Sequence, residues 1–227
     1  MKRRSFIKYV TLVYGLFSID LSAYEIGTEE RKVLKTNKKE NKQQNKLCIV
    51  GVGGGGSNII SDIQKIDPKN HYISINSDVQ ALKASKIKHT IALNSYDNLG
   101  CGKKLKCGKK LFYIDEKKQL SNLVQSYEKI IIVTSLGGGT GGGTTPEIIK
   151  FLQNNNKDVS VSVTLPFSFE GTQRTKQALE ALRKIKKISN SVCVIENDVV
   201  LKSANSRFGI KKSFFFLSTI VYKQILS

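Results

Sequence analysis

From Lys46 onward, short apolar runs alternate with stretches whose apolar residues recur every three or four positions. "KLCIV" (46–50) reads as a strand that breaks into "GVGGGG". Ile59, Ile60, Ile63 and Ile66 then share one helical face, behind Ser57 and Asn58, both residue types that cap helix N-termini. "HYISINS" (71–77) and "HTIAL" (89–93) are the next strands, with Ile73 and Ile75 on one side of the former. A basic loop follows, then a helix through Leu120 and Leu123. "KIIIVTSL" (129–136) is continuously apolar, as expected of a strand covered on both faces. It runs into a second set of glycines and a helix with Pro146 placed in its first turn, where proline is tolerated. "DVSVSVTL" (158–165) alternates strictly, "GTQRTKQALEALRKIKKI" (171–188) is an amphipathic helix, and "SVCVIEN" (191–197) is a last strand. Strand–helix alternation of this kind predicts an α/β fold, a Rossmann-like parallel sheet with helices on both faces.

Outside 46–202 the pattern changes. Residues 1–45 form an N-terminal extension and linker, of which 24–45 is uniformly polar and charged. Residues 1–23 begin with basic residues, and "RRSFIK" resembles a twin-arginine export signal. Tyr9, Tyr14 and Asp20 interrupt the apolar run, and it is too short to span a bilayer. The reading favoured over export is an extension that touches a membrane or stays unfolded, on a cytoplasmic protein. Residues 203–227 open a further helix, truncated, and 208–227 is strongly apolar.

Charge changes the picture little. With 37 Lys and Arg against 18 Asp and Glu, the net charge of +19 favours anionic partners. Most of the lysines stand singly on helical stretches, as on a solvated face, so nucleic acid is not expected. Cys48, Cys101, Cys107 and Cys193 form no CxxC pair and have no histidine at ligand spacing, which argues against zinc. Cys48 and Cys193 lie in apolar runs as small core residues, whereas Cys101 and Cys107 share a lysine-rich loop. They are able to pair under oxidation, but a reduced, intracellular state is the simpler expectation.

The candidate chemistry lies in the two glycine clusters, each placed where a strand ends and a helix begins, the ligand edge of such sheets. Gly51, Gly53 and Gly56 make a G-x-G-x-x-G arrangement with Asp78 at the distance of a ribose-binding acid, which alone fits an NAD-dependent oxidoreductase. That alternative leaves "LGGGTGGGTTPEI" (136–148) unexplained. Successive glycines let main-chain N–H groups form a concave anion nest ahead of a helix's positive end, and Thr140 adds a hydroxyl. Two such turns on one edge suit a polyphosphate. A P-loop is excluded, because no G-K-[ST] follows either cluster.

"GGGTGGGT" (137–144) resembles the signature of the tubulin/FtsZ superfamily, with Gly142 in place of a hydroxyl residue. "IVGVGGGGSNII" (49–60), "INSDVQAL" (75–82), "LPFSFEGTQRTKQALEAL" (165–182) and "VIENDVVL" (194–201) resemble four further segments of the FtsZ branch, in the same order. The resemblance implies GTP, with Mg²⁺, and a role in cell division and septation through filaments. It places Gly53, Gly54, Gly55, Gly56, Ser57 and Asn58 along the phosphates, with Gly137, Gly138, Gly139, Thr140 and Gly141 opposite. It gives Glu170 and Arg174 to the ribose and neighbouring phosphates, and Asn197 to the guanine edge. The plain alternative for Glu170 and Arg174 is an i,i+4 surface ion pair.

Three departures qualify the resemblance. The family's G-A-G-A-N-P-E-x-G loop reads "GCGKKLKCG" (100–108) here, so Lys103 or Lys104 either grips the nucleotide or belongs to a solvated run. Phe214 stands at the ring position of the family's central helix, but Ser218 and Thr219 replace its amide and carboxylate, which puts guanine selectivity in question. The family's acidic catalytic loop falls beyond residue 227, so no catalytic residue is assigned, and hydrolysis requires acids donated head to tail by another FtsZ-like subunit, whether a copy of this chain or a full-length paralogue. The expectation is a truncated GTP-binding chain that caps such filaments, with an inactive remnant as the rival.

Overall fold

A glycine has no side chain to bury, yet Gly53–Gly56 and Gly139–Gly143 lie in helix, and that shifts the element boundaries. The computed structural model describes residues 47–94, 101, 105–203 and 210–226. The readings for residues 1–45 and for Lys103 and Lys104 lie outside them. The strands are β1 (Cys48–Val52), β2 (His71–Asn76), β3 (His89–Ala92), β4 (Lys129–Ser135), β5 (Asp158–Leu165) and β6 (Val192–Glu196). Among the described residues they form one sheet in the order β3-β2-β1-β4-β5-β6, every pair parallel. This is the doubly wound order, as the strand–helix alternation predicts.

The helices are α1 (Gly53–Ile66), α2 (Val79–Ala84), α3 (Leu105–Lys109), α4 (Ile114–Val124), α5 (Gly139–Asn154), α6 (Thr172–Ile188), α7 (Asn197–Ser203) and α8 (Ile210–Leu226). Alternate residues of the central strands feed two cores. Cys48, Val50, Ile130 and Ile132 join Leu120, Ile148, Ile149, Ala178 and Ile185, under α4, α5 and α6. Ile49, Ile131 and Val133 join Ile59, Ile60, Ile63, Leu217 and Val221, under α1 and α8. β1 and residues 130–133 of β4 therefore carry no polar side chain, since neither face meets water there.

Two expectations about helix starts are corrected. Ser57 and Asn58 do not cap α1: it opens at Gly53, its N-cap is Val52, and no side chain bonds the cap. Pro146 is not in a first turn, because α5 opens at Gly139 and the proline lies inside the helix. Having no N–H, Pro146 leaves the i−4 carbonyl, that of Gly142, without its helical donor.

Candidate functional site

β1 and β4 are neighbours, but the chain leaves β1 toward β2 and leaves β4 toward β5. Such a switch point opens a crevice at the carboxyl edge of the sheet, and both glycine turns stand there. Gly53 (φ +73°) and Gly137 (φ +102°) hold backbone conformations that side chains disfavour. The turns meet main chain to main chain. A Cβ added to Gly53 would lie 2.8 Å from the Gly141 nitrogen, and one on Gly141 would lie 2.7 Å from the Ser135 carbonyl oxygen. A Cβ on Gly56 would overlap the Val133 carbonyl oxygen. Gly54 and Gly138 differ: a Cβ there meets nothing within 4 Å. The glycines thus divide into those that let the helices close on the sheet and two whose backbone borders open space.

The crevice is electropositive for a main-chain reason. The first N–H groups of a helix lack intrahelical acceptors, and the helix dipole adds partial positive charge there. Neither α1 nor α5 has a side-chain cap that takes up those donors. Two converging helix starts, one from each side of the switch point, suit an extended anion.

The side chains sort less uniformly. Ser57 is buried and its hydroxyl accepts from Ser74 Oγ at 2.7 Å, so it ties α1 to β2. Thr140 is also buried, with its hydroxyl 2.6 Å from Ser77 Oγ. Glu170 sits in a short 3₁₀ turn after β5 and forms an ion pair with Arg174. Its other oxygen accepts from the Phe167 N–H at 2.8 Å. A Cβ on Gly137 would lie 3.2 Å from the Arg174 carbonyl oxygen, so the start of α6 backs the second glycine turn. Asn197 is buried at the start of α7 and its Oδ1 has no hydrogen-bond partner. Asn58 is exposed and lines a cavity of about 360 Å³ between α1 and α8, together with Gly55, Asp62, Ser135, Phe214 and Ser218. Phe214 presents a half-exposed ring there, whereas Ser218 is buried, 3.2 Å from Asp62 Oδ2.

Two expectations fall away here. Asp78 does not stand as a ribose acid: its carboxylate caps α2, accepting from the Ala81 N–H at 2.9 Å. Cys101 and Cys107 are not free thiols but a disulfide, with Cα atoms 5.6 Å apart. Sequence reasoning missed α3 altogether. It packs backbone to backbone on α5, where a Cβ on Gly143 would lie 2.9 Å from Gly108 Cα and Thr144 Oγ1 donates to the Gly108 carbonyl at 2.8 Å. It also missed Asp62, although Gly55, Asn58 and Asp62 fall at helical spacing on one stripe.

Residues 46–205 match the sequence model of the Tubulin/FtsZ family, GTPase domain. The chain is 32% identical over 184 residues to the cell division protein FtsZ of Aquifex aeolicus, which covers 79% of this chain and 50% of that protein. It is 35% identical over 164 residues to the FtsZ of Helicobacter pylori J99, covering 69% and 41%. The chain therefore spans about half the length of the relatives it matches. Among solved structures, an FtsZ dimer from M. jannaschii aligns with a TM-score of 0.71 at 28% identity, over 81% of this chain and 54% of that one. CetZ2 from Haloferax volcanii, solved as a GTPγS-bound protofilament, shares the fold with a TM-score of 0.71 at 22% identity, over 80% and 57%. The sheet order, the paired glycine turns at its switch point and the sequence match agree, and the chain belongs to the tubulin/FtsZ family.

Proposed function

We propose that this chain binds GTP across the β1–β4 switch point and works as an FtsZ-type cell-division protein. The observation that carries this reading is the open backbone at Gly54 and Gly138, one on each of two abutting helix starts. The phosphates lie between the two turns, held by the first main-chain N–H groups of α1, at Gly53 to Gly55, on one side and by those of Gly137 to Gly141 on the other. Arg174 supplies a guanidinium and Glu170 an acceptor to the ribose side, and the unpaired Oδ1 of Asn197 gives the nucleoside a polar partner. Phe214 offers a ring face to the base.

Among the described residues no three His, Cys, Asp or Glu side chains gather to hold a metal, so Mg²⁺ enters with the triphosphate. Hydrolysis depends on acidic residues brought by an adjoining FtsZ-like subunit, head to tail. Among the described residues no helix is long and apolar enough to cross a membrane; any membrane contact is assigned here to residues 1–23. The test is thermal unfolding with GTP, ATP and NAD in Mg²⁺. GTP at 100 times its Kd adds about 2.7 kcal/mol of stability. A midpoint raised by GTP supports the reading, and no shift at millimolar GTP removes it. Sedimentation with GTP, alone and with a full-length FtsZ, then tests assembly.

A further inference from the structure

The cavity between α1 and α8 holds a carboxylate, Asp62, paired with Lys65, that the proposed phosphate site does not use. Gly55, Asn58, Ile59 and Asp62 run as one stripe along α1, and Phe214, Leu217 and Ser218 form the facing stripe of α8. Gly55 and Ser135 belong both to this cavity and to the glycine crevice, so the two spaces are continuous. Asp62 lies nine residues past Gly53, about 13 Å along the helix at a rise of about 1.5 Å per residue. An extended nucleotide with its phosphates at the helix start reaches that far with its base.

The cavity is furnished for a base. Phe214 is 45% exposed and its ring is held edge-on by Phe167, with centroids 5.5 Å apart. Asp62 Oδ2 lies 3.2 Å from the hydroxyl of Ser218, and Oδ1 accepts from the exposed Lys65 at 2.7 Å. The carboxylate is thereby held from both helices, while its side chain stays 22% exposed beside the cavity.

We infer that Asp62, on α1, reads the base edge and selects guanine, resting on the reading that GTP binds this crevice. A carboxylate only accepts hydrogen bonds. Guanine offers a ring N–H and an exocyclic amino group side by side, which two carboxylate oxygens accept in parallel. Adenine presents an unprotonated ring nitrogen at the same place, so one oxygen faces a lone pair and both groups lose their water without gaining a partner. Ser218 acts as a positioning residue that steadies the carboxylate.

The experiment is equilibrium binding of GTP and of ITP, whose base lacks the amino group, to the wild type and to Asp62→Asn. The wild type binds GTP about tenfold more tightly than ITP. Asp62→Asn weakens GTP by about 10- to 100-fold and brings the two nucleotides to within about twofold of each other. The amide is close in shape to the carboxylate, and ITP binding by the variant reports an intact pocket. A GTP-to-ITP ratio that is the same in both proteins, with the affinities unchanged or equally weakened, overturns the inference and leaves the GTP site standing. A wild type that binds neither triphosphate removes the GTP site itself and this inference with it.

Discussion

At its carboxyl edge the sheet hands β1 and β4 to runs of glycine, whereas at its amino edge rings close over the strands. His71 stacks on Tyr127 with centroids 5.0 Å apart and lies 4.7 Å from His89, while Cys48 beside them is fully buried. Burial pushes the Cys48 thiol up to about 12, which makes it an inert apolar residue. At the starts of β2 and β3 the amino edge is finished by side chains. The other is stripped of side chains, so that two helix starts approach each other and leave donors facing open space. The proposed site lies at the edge where the sequence gives up packing area for backbone access.

The sharpest way to break this contrast uses the glycines against one another. Gly54→Ala and Gly138→Ala place methyl groups where nothing lies within 4 Å, so folding tolerates them and the shorter list of unfolded conformations stabilises the chain by about 0.4–1 kcal/mol each. In the proposed GTP complex the same methyl groups occupy the phosphate space. The double variant is expected to weaken GTP by at least about 100-fold, about 2.7 kcal/mol, as read by titration calorimetry. Unchanged affinity would place the ligand elsewhere. Gly56→Ala is the converse. Its methyl group meets the Val133 carbonyl and lies 3.2 Å from Thr134 Cα, backbone atoms that cannot rotate aside. Overpacking of this kind costs about 1–3 kcal/mol, visible as a lower urea midpoint.

The strands were legible because each is an apolar run bounded by turn residues, and their alternation with helices fixed the parallel topology. The glycine helices were not. A helix needs no side chains to make its bonds, so Gly53 to Gly56 form the first turn of α1 while reading as loop, supported by close packing on β4. α3, only five residues long, is too short to show a helical period. At the site, residue type was legible and direction was not: Ser57 and Thr140 carry suitable hydroxyls, but both bond inward, to Ser74 within β2 and to Ser77 just after it. Asp62 carries no signature in the sequence, because only the fold brings this acid of α1 to Ser218 on α8.

The disulfide tests how firmly the glycine edge is held. Cys101–Cys107 anchors α3, which presses Gly108 against Gly139 and Gly143 at the start of α5. Closing so short a loop restricts the unfolded chain by about 2 kcal/mol in the chain-entropy treatment. Dithiothreitol is therefore expected to lower the unfolding free energy by about that much, and Cys101→Ser/Cys107→Ser to abolish the response. A wild-type midpoint indifferent to reductant would mean that the Gly108–Gly143 contact and the Thr144 hydrogen bond suffice to seat α3.

The smallest effect belongs to the other edge. Burial lowers the pKa of His71 below its ordinary value, and the neighbouring His89 lowers it further, against a backbone hydrogen bond that raises it. The folded state therefore resists protonation of His71 more than the unfolded chain, whose histidines titrate near about 6.5. Above that pH both states are neutral and the stability is full. As the pH falls below it, the unfolded state binds the proton first and stability declines, with a slope of at most about 1.4 kcal/mol per pH unit for one group. Urea midpoints at pH 7.5 and 5.5 measure the fall. His71→Phe keeps a ring against Tyr127 without a titrating nitrogen, and is expected to flatten the profile in this range while leaving GTP binding untouched. A GTP affinity that followed the protonation of His71 would mean that the two edges are coupled through β1 and β2, and that the sealed edge is not the passive partner.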